Sequence, residues 1–319
     1  FTPQNVHLEN TEYFEMEKKF QIGDFTITPF RMDHSAFDSY AFLIEADGKS
    51  LFYSGDFRGH GRGKNFLYWF THHAPQNVDY LLLEGTTIGR KDKPFKTEEE
   101  IQKELIEVFK QPNKINLVWT SGQNIDRLVS IYKACNKTNK IMVVDIYVAT
   151  VLKKLSKYAK IQYPSNSFKN LKVMFPFFTS HRLRNEGNEK ILYQFKKFKI
   201  TKEEISKQSN DIVMLVRPSM KDDLKLITNI DGGNLIYSMW LGYKKKDYTK
   251  KFLDFLEARN FTIYDIHTSG HADIKTLKKL VKAIKPKNIV PIHTFKSDEY
   301  KNIFDVPVVE LKDGETKKI

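Results

Sequence analysis

Two short segments near the start of the chain carry a histidine and a carboxylate that could share a metal ion. His34 precedes an apolar run at 41–46, and Asp56 follows a second apolar run at 50–53, with Asp47-Gly48 between the runs. This pattern predicts a β-hairpin, which brings the residue before its first strand close to the residue after its second. Imidazole and carboxylate groups are both ligands of zinc. The alternative is a turn histidine and a capping aspartate that share no ion.

Three further apolar runs lead to side chains of the same chemical types, namely Glu84, His271 and His293. A helix predicted from Asp273 to Ile284 separates the last two. Because a helical crossover joins parallel strands, it would carry both histidines to the same sheet edge. We therefore expect the histidines and carboxylates at the ends of these strands to converge.

From residue 97 onward, strands and helices alternate along the chain. The patterns predict helices at 97–110, 124–134 and 149–158, with strands at 115–119 and 141–144 between them. Further strands are predicted at 211–216 and 234–237, and a helix at 248–260. This alternation predicts a parallel sheet with helical crossovers.

Composition limits the compartment and the class of partner. The 319 residues include 52 Lys and Arg against 39 Asp and Glu, a net charge of +13 that favours a polyanion, with nucleic acid ahead of a membrane. The sequence has no apolar run long enough to span a membrane and no secretory signal. The single cysteine, Cys135, fits a reducing cytoplasm, where we expect the protein to be located.

The other histidines are expected to be solvated on loops or helix ends. The pair His72-His73 is not expected to bind a metal, since neighbouring residues of a helix point in different directions. The full set is His7, His60, His72, His73, His181 and His267.

In their order along the chain, these segments resemble the motifs of the metallo-β-lactamase superfamily, in particular the β-CASP branch of nucleases and its ribonuclease J-like proteins. The resembling motifs are Asp33-His34-Ser35-Ala36, Ser54-Gly55-Asp56-Phe57, Glu84, Ser269-Gly270-His271-Ala272, Pro291-Ile292-His293 and the turn Ser121–Arg127. The resemblance implies an α/β fold: a metallo-β-lactamase αββα sandwich, lacking its N-terminal part, with an inserted parallel β-CASP domain. The implied boundaries are 1–90 and 259–319 for the first domain and 91–258 for the insert.

The resemblance also implies a function, the hydrolysis of RNA phosphodiesters by water that two zinc ions activate. His34 and His293 would be ligands of different ions, and Asp56 would bridge them. His271 would be the general acid or a phosphate contact, with Glu84 orienting it. Ser269 would contact phosphate, and Arg58 and the lysine-rich insert would line the path of the RNA.

One motif of this family, His-x-His-x-Asp-His, occurs nowhere in the sequence. It supplies four more metal ligands and lies upstream of the His34 segment. We therefore expect that the parent protein is a longer zinc-dependent nuclease and that Phe1 is an internal start. The remaining ligands, His34, Asp56 and His293, would hold one zinc ion or none, so this chain is expected to be inactive or nearly so.

Two other functions stay open at this stage. A non-catalytic protein of the same fold could bind RNA or a partner subunit, although the retained polar groups argue against it. A nuclease of this kind could also act on DNA, because a channel that reads the backbone treats the two similarly unless it senses the 2′-hydroxyl. The sequence leaves open endonuclease against 5′-exonuclease action, a requirement for single-stranded substrate, and homodimer formation.

Overall fold

The structure, a computed structural model, describes residues 12–90, 95–112 and 114–318. The interpretations of His7 and of the chain start at Phe1 lie outside the described residues. The strands are β1 Phe20–Ile22, β2 Phe25–Met32, β3 Ser39–Ala46, β4 Lys49–Tyr53, β5 Tyr80–Glu84, β6 Asn116–Trp119, β7 Ile141–Asp145, β8 Leu171–Met174, β9 Ile212–Leu215, β10 Asn234–Tyr237, β11 Thr262–Asp265 and β12 Asn288–Ile292. The helices are α1 Lys64–His73, α2 Glu98–Phe109, α3 Ile125–Lys137, α4 Ile146–Leu155, α5 Phe177–Asn185, α6 Lys190–Tyr193, α7 Lys202–Lys207, α8 Lys221–Lys225, α9 Asp247–Glu257, α10 Ile274–Ile284 and α11 Tyr300–Ile303.

The strands form two six-stranded sheets, one for each predicted domain. The first sheet has the order β1-β2-β3-β4-β5-β12, antiparallel from β1 to β4 and parallel from β4 to β12. The second sheet has the order β11-β10-β6-β9-β7-β8, and all its pairings are parallel. The predicted hairpin and the predicted parallel sheet are both confirmed.

The hairpin joins β3 and β4 in the register that its turn dictates. Asp47 and Gly48 both have positive φ, of 49° and 72°, as a two-residue turn matching the twist of the strands requires. Ala46 pairs with Lys49 next to the turn, and Phe42 pairs with Tyr53 at the far end. The segments carrying His34 and Asp56 therefore leave the sheet at the same end.

Helices α1 and α10 cover one face of the first sheet. Their apolar side chains, Leu67 and Phe70 of α1 and Leu277, Leu280 and Ile284 of α10, pack against Phe30, Phe52 and Leu81 of the strands. Along β3 the buried residues Ala41 and Leu43 alternate with half-buried ones, as expected for a sheet with one covered face. The opposite face carries the partly exposed side chains of Phe25 and Tyr53, and the described residues add no second sheet over it.

The second sheet lies between two layers of helices. One core joins its strands to α2, α3 and α4, and a separate core joins them to α7, α8 and α9. Strand β11 belongs to this sheet, because residues 262–265 pair in parallel with β10. The chain therefore returns to the first sheet after Asp265, later than the predicted boundary at residue 259.

Helices α2, α3 and α4 of the second domain begin at side-chain caps that their sequences encode. Thr97 caps α2 through a reciprocal pair of hydrogen bonds with Glu100, and Asn124 caps α3 by accepting the N–H of Arg127. Helix α4 begins at Ile146, three residues before the predicted start, because Asp145 ends β7 and caps the helix at once. None of the described helices is long and apolar enough to cross a membrane.

Candidate metal centre

Asp56, His271 and His293 form the one group of three potential metal ligands found among the residues that the structure describes. One ligand atom of each lies within 4.8 Å of the others. Nδ1 of His293 lies 2.7 Å from Oδ1 of Asp56, and Nδ1 of His271 lies 3.9 Å from the same oxygen. The two imidazole rings meet nearly edge to face, with centroids 5.3 Å apart. The expected convergence of these groups is therefore present.

The parallel part of the first sheet brings two of these residues together. Asp56 lies shortly after β4, and His293 comes directly after β12, with β5 pairing with both strands. Parallel strands end at the same sheet edge, so both side chains reach that edge. His293 has a φ of 48°, a left-handed conformation that is uncommon outside glycine and marks the sharp exit from β12.

The donor set fits a zinc ion. Nδ1 of His271 is buried and has no hydrogen-bond partner, an arrangement that costs free energy unless another group takes up the lone pair or the proton. Two imidazoles and one carboxylate are the kind of three-ligand set that holds catalytic zinc and leaves a fourth position for water. The chemistry of Asp56, His271 and His293 therefore fits zinc, and Nδ1 of His293 lies at hydrogen-bond distance from Oδ1 of Asp56.

Glu84 lies directly behind this group. Its side chain has no exposed surface, and its two carboxylate oxygens accept the backbone N–H groups of Thr86 at 3.0 Å and of Ala272 at 3.1 Å. Oε2 also lies 3.6 Å from Nδ1 of His271. Glu84 thus anchors the backbone beside His271, a geometry compatible with its predicted role as an orienting partner.

His34 lies next to the group but is not a member of it. Its ring is 6.1 Å from that of His271, and its Nδ1 donates a hydrogen bond to the carbonyl oxygen of Gly270 at 2.9 Å. A carbonyl only accepts, so the proton is on Nδ1 and the lone pair is on Nε2. Burial lowers the pKa of His34 and outweighs the nearby charge of Asp56, so the ring is neutral at pH 7. The predicted ligand role of His34 stays a prediction.

The two predicted phosphate contacts differ in their surroundings. Ser269 is half-buried, and its Oγ accepts the N–H of His271 at 3.1 Å, which leaves its own proton free for another acceptor. Arg58 has no exposed surface, and its guanidinium forms ion pairs with Asp33, Glu98 and Asp126. A cation enclosed by three carboxylates cannot reach a phosphate, so the expectation that Arg58 lines an RNA path is wrong.

Arg58 belongs to a buried charged network that joins the two domains, and the sequence analysis missed it. Its other cation, Arg127, pairs with both oxygens of Glu98 at 3.1 Å, and neither side chain is exposed. Burial alone would raise the pKa of Glu98. The positive charge of Arg127 and the hydrogen bonds that Arg127 donates to Glu98 outweigh the effect of burial, so the pKa of Glu98 is lowered. Glu98 looks in sequence like an ordinary acidic residue in a first helical turn, so no local signal marks it.

This network also holds the backbone that precedes His271. Arg58 donates to the carbonyl oxygen of Ser269 at 3.3 Å, and Arg127 donates to that of Ile266 at 3.4 Å. His60 donates to the same Ser269 oxygen at 2.8 Å. Residues from both domains therefore fix the segment on which His271 is carried.

Two histidines expected to be solvated are not, since His60 is buried and His267 is half-buried. His60 is only 7% exposed, and burial lowers its pKa. Burial, followed by the charge of Arg127, lowers the pKa of His267 to about 4. His72, His73 and His181 are exposed on helices, as expected, and the first two bond to backbone carbonyls of their own helix.

Comparison with known proteins gives three related findings. Residues 258–299 match the family described as RMMBL, a Zn-dependent metallo-hydrolase RNA specificity domain. The chain is 25% identical over 292 residues to ribonuclease J of Helicobacter pylori strain ATCC 700392 / 26695, covering 88% of this chain and 40% of the relative. Ribonuclease J of strain J99 / ATCC 700824 gives the same values. The chain thus spans less than half the length of these relatives.

A solved structure shares the fold. A protein of unknown function from Enterococcus faecalis V583 superposes with a TM-score of 0.76 at 20% identity, over 96% of this chain and 67% of that one.

The matched RMMBL segment contains two of the three clustered ligands, His271 and His293. The RMMBL match and the ribonuclease J relatives support the resemblance of this chain to the ribonuclease J-like metallo-hydrolases of the metallo-β-lactamase superfamily.

Proposed function

We propose that this chain carries the centre of a zinc-dependent nuclease that hydrolyses RNA phosphodiester bonds. The observation that carries the proposal is the convergence of Asp56, His271 and His293 at one sheet edge. Two of these residues lie in the segment that matches an RNA specificity domain of zinc-dependent metallo-hydrolases. The relatives named ribonuclease J support RNA as the substrate class.

Asp56, His271 and His293 are the residues that would hold the zinc ion. When bound, the ion supplies Lewis acidity: it lowers the pKa of water and stabilises negative charge that develops on a phosphate. The backbone amides that bond Glu84 keep its carboxylate in place beside His271, which limits the positions that this imidazole can adopt.

His34 and Ser269 are the neighbouring groups available for proton transfer and for substrate binding. Neutral His34 presents the lone pair of Nε2, so it can accept a proton or act as a further ligand. The free hydroxyl proton of Ser269 can bind a phosphate oxygen. The surplus of 13 positive charges supports a polyanionic substrate whose backbone sets the affinity.

The described residues offer ligands for one zinc ion at this centre, while the proposed mechanism of the family uses two. We therefore propose that the chain by itself binds about one zinc ion and cleaves RNA slowly. A partner chain or a longer form that supplies the His-x-His-x-Asp-His motif would then restore the rate.

The test combines metal binding with hydrolysis. Zinc content is measured by mass spectrometry of the dialysed protein, and cleavage is followed on a 5′-labelled single-stranded RNA with and without chelator. Asp56→Asn should lower both zinc content and cleavage, whereas His72→Ala, on the exposed end of α1, should change neither.

A zinc content near zero in the wild-type chain, with no loss on Asp56→Asn, would contradict the proposed centre. Cleavage of the matching DNA oligonucleotide but not of the RNA would contradict the proposed substrate. Zinc binding by the wild-type chain without cleavage of either strand would contradict the proposed hydrolysis and favour a binding protein.

A further inference from the structure

Trp240 is a large aromatic side chain that the fold holds in an exposed position. It lies in the loop after β10, and half of its surface is exposed. The indole lies on Gly242, where an added Cβ atom would come within 2.3 Å of the ring, and Tyr243 meets it edge-on with centroids 5.2 Å apart. The ring is therefore supported in one place without being covered.

Arg90 connects Trp240 to the metal centre. Its guanidinium carbon lies 5.8 Å from the centre of the indole ring. Arg90 belongs to the loop after Glu84, in which Thr86 donates to the carbonyl oxygen of His293 at 3.2 Å. Four residues of chain span at most about 14 Å, so Arg90 lies within that distance of Thr86. The residue beside the indole is thus four positions along the chain from a residue that bonds to the backbone of His293.

A second exposed ring lies beside the same loop. Phe295 follows His293 by two residues, and its side chain is fully exposed, at 104% of its reference area. The next residue, Lys296, lies against Gly89, where an added Cβ atom would be 2.8 Å from its stem. Phe295 thus adjoins in sequence a residue that packs on Gly89, and Trp240 lies beside Arg90, the next residue of the same loop.

Exposed cations follow Trp240 along the chain. Lys245 and Lys246 follow Trp240 and are exposed, and Nζ of Lys246 lies 4.7 Å from the ring centre of Tyr243. Lys244 instead pairs with Asp265 at 2.5 Å, so its charge is already balanced. We call Arg90, Trp240, Lys245, Lys246 and Phe295 the aromatic track.

We propose that the aromatic track binds single-stranded RNA next to the metal centre, with bases stacking on Trp240 and Phe295 and phosphates contacting Arg90, Lys245 and Lys246. Exposed aromatic rings interleaved with cations are the arrangement by which proteins hold single strands. A duplex cannot offer its base faces to such rings. The inference rests on the proposed nuclease function and adds to it the residues that hold the substrate.

The experiment measures binding without hydrolysis. A fluorescein-labelled oligo(U) of twelve nucleotides is titrated with the full 319-residue chain in chelator, and anisotropy gives the dissociation constant. Trp240→Ala should weaken binding about tenfold, since loss of one stacked base is a change of that order. Gly242→Ala should weaken it less but in the same direction, because the added methyl group displaces the indole while the tryptophan is kept.

Two readouts separate stacking from a general loss of structure. RNA should quench the tryptophan emission of the wild-type chain, and Trp240→Phe should remove most of that quenching. Trp119 is buried, and Trp69 on α1 is half-buried, packed against the first core and stacked on His73. Arg90→Gln should reduce the slope of log affinity against log salt by about 0.7, the value for one phosphate contact on a single strand. Tyr158→Ala, an exposed ring at the end of α4, is the control and should change neither quantity.

Each outcome bears on a different claim. Unchanged affinity in Trp240→Ala and Phe295→Ala would overturn the aromatic track and leave the nuclease proposal standing. Trp240-dependent binding of oligo(dT) with no binding of oligo(U) would overturn RNA as its ligand. No binding of either strand by the wild-type chain would overturn both proposals. Trp240-dependent binding of oligo(U), without its cleavage by the zinc-loaded chain, would keep the aromatic track and contradict the nuclease.

Discussion

Glu84 accepts the backbone N–H of Ala272 at 3.1 Å across a sequence separation of 188 residues. The same carboxylate accepts the N–H of Thr86, and its Oε2 lies 3.6 Å from Nδ1 of His271. One fully buried side chain therefore connects the end of β5 to the segment that carries a proposed zinc ligand. The position of His271 depends on this contact as well as on its own loop.

Glu84→Gln should loosen the centre. The amide nitrogen cannot accept a hydrogen bond, so one of the two N–H groups would lose its partner. We expect the free energy of unfolding to fall by about 1–3 kcal/mol and zinc affinity to fall about 10- to 100-fold. Urea unfolding and zinc titration measure the two effects, with Glu45→Gln at an exposed ion pair as the control. Equal zinc affinity in both variants would contradict an orienting role.

A comparison of His34→Ala with His271→Ala tests which histidine belongs to the zinc site. If the clustered residues are the ligands, His271→Ala should reduce zinc affinity by at least about 100-fold, while His34→Ala should change it less than about tenfold. The physical reason is that His34 uses Nδ1 on Gly270 and lies outside the group. Zinc titration with a chelating indicator measures both constants. The reverse order would support the ligand set expected from the sequence.

Removal of Arg58 should destabilise the protein strongly. Arg58→Met would leave Asp33, Glu98 and Asp126 buried with less compensating charge, and losing one partner of a buried pair costs about 3–5 kcal/mol. Lys225→Met, which removes an exposed pair with Asp222, should cost no more than about 1 kcal/mol. Urea unfolding at neutral pH compares the two variants. Similar losses in both would show that the network contributes little.

His267 should make the protein less stable in acid. Burial lowers its pKa from 6.5 to about 4, so the unfolded chain binds the proton more readily between these values. Its contribution to stability is present above pH 6.5 and is lost as the pH falls towards 4. We expect the stability difference between wild type and His267→Gln to shrink over that range, as measured by urea unfolding at several pH values. A constant difference would contradict the lowered pKa.

Asp33 should stabilise the protein in acid, which is the opposite of the effect of His267. Burial raises its pKa from 3.8 to about 6, although the charge of Arg58 works against this. The folded protein therefore holds the proton more tightly between these values, and the contribution is present below pH 3.8 and lost as the pH rises through 6. The stability difference between wild type and Asp33→Asn should shift in favour of wild type as the pH falls from 6 to 4. The same urea series measures it, and a shift towards the variant would contradict the assignment.

The sequence by itself determined the features that depend on neighbouring residues. Asp47-Gly48 encodes the turn between β3 and β4 because both positions need positive φ. Thr97 and Glu100 encode the start of α2 because their side chains satisfy free backbone N–H groups within one turn. The alternation of such elements also predicts the parallel second sheet, and the strand ends predict that Asp56 and His293 converge.

Only the tertiary structure decided which side chains share an environment. Arg58 and Glu98 read as ordinary surface charges in sequence, yet they are fully buried because charges from the other domain compensate them. His271, rather than His34, completes the group with Asp56 and His293, because His34 is held by the carbonyl of Gly270. These outcomes depend on contacts between residues far apart in the chain, and local pattern carries no information about such contacts.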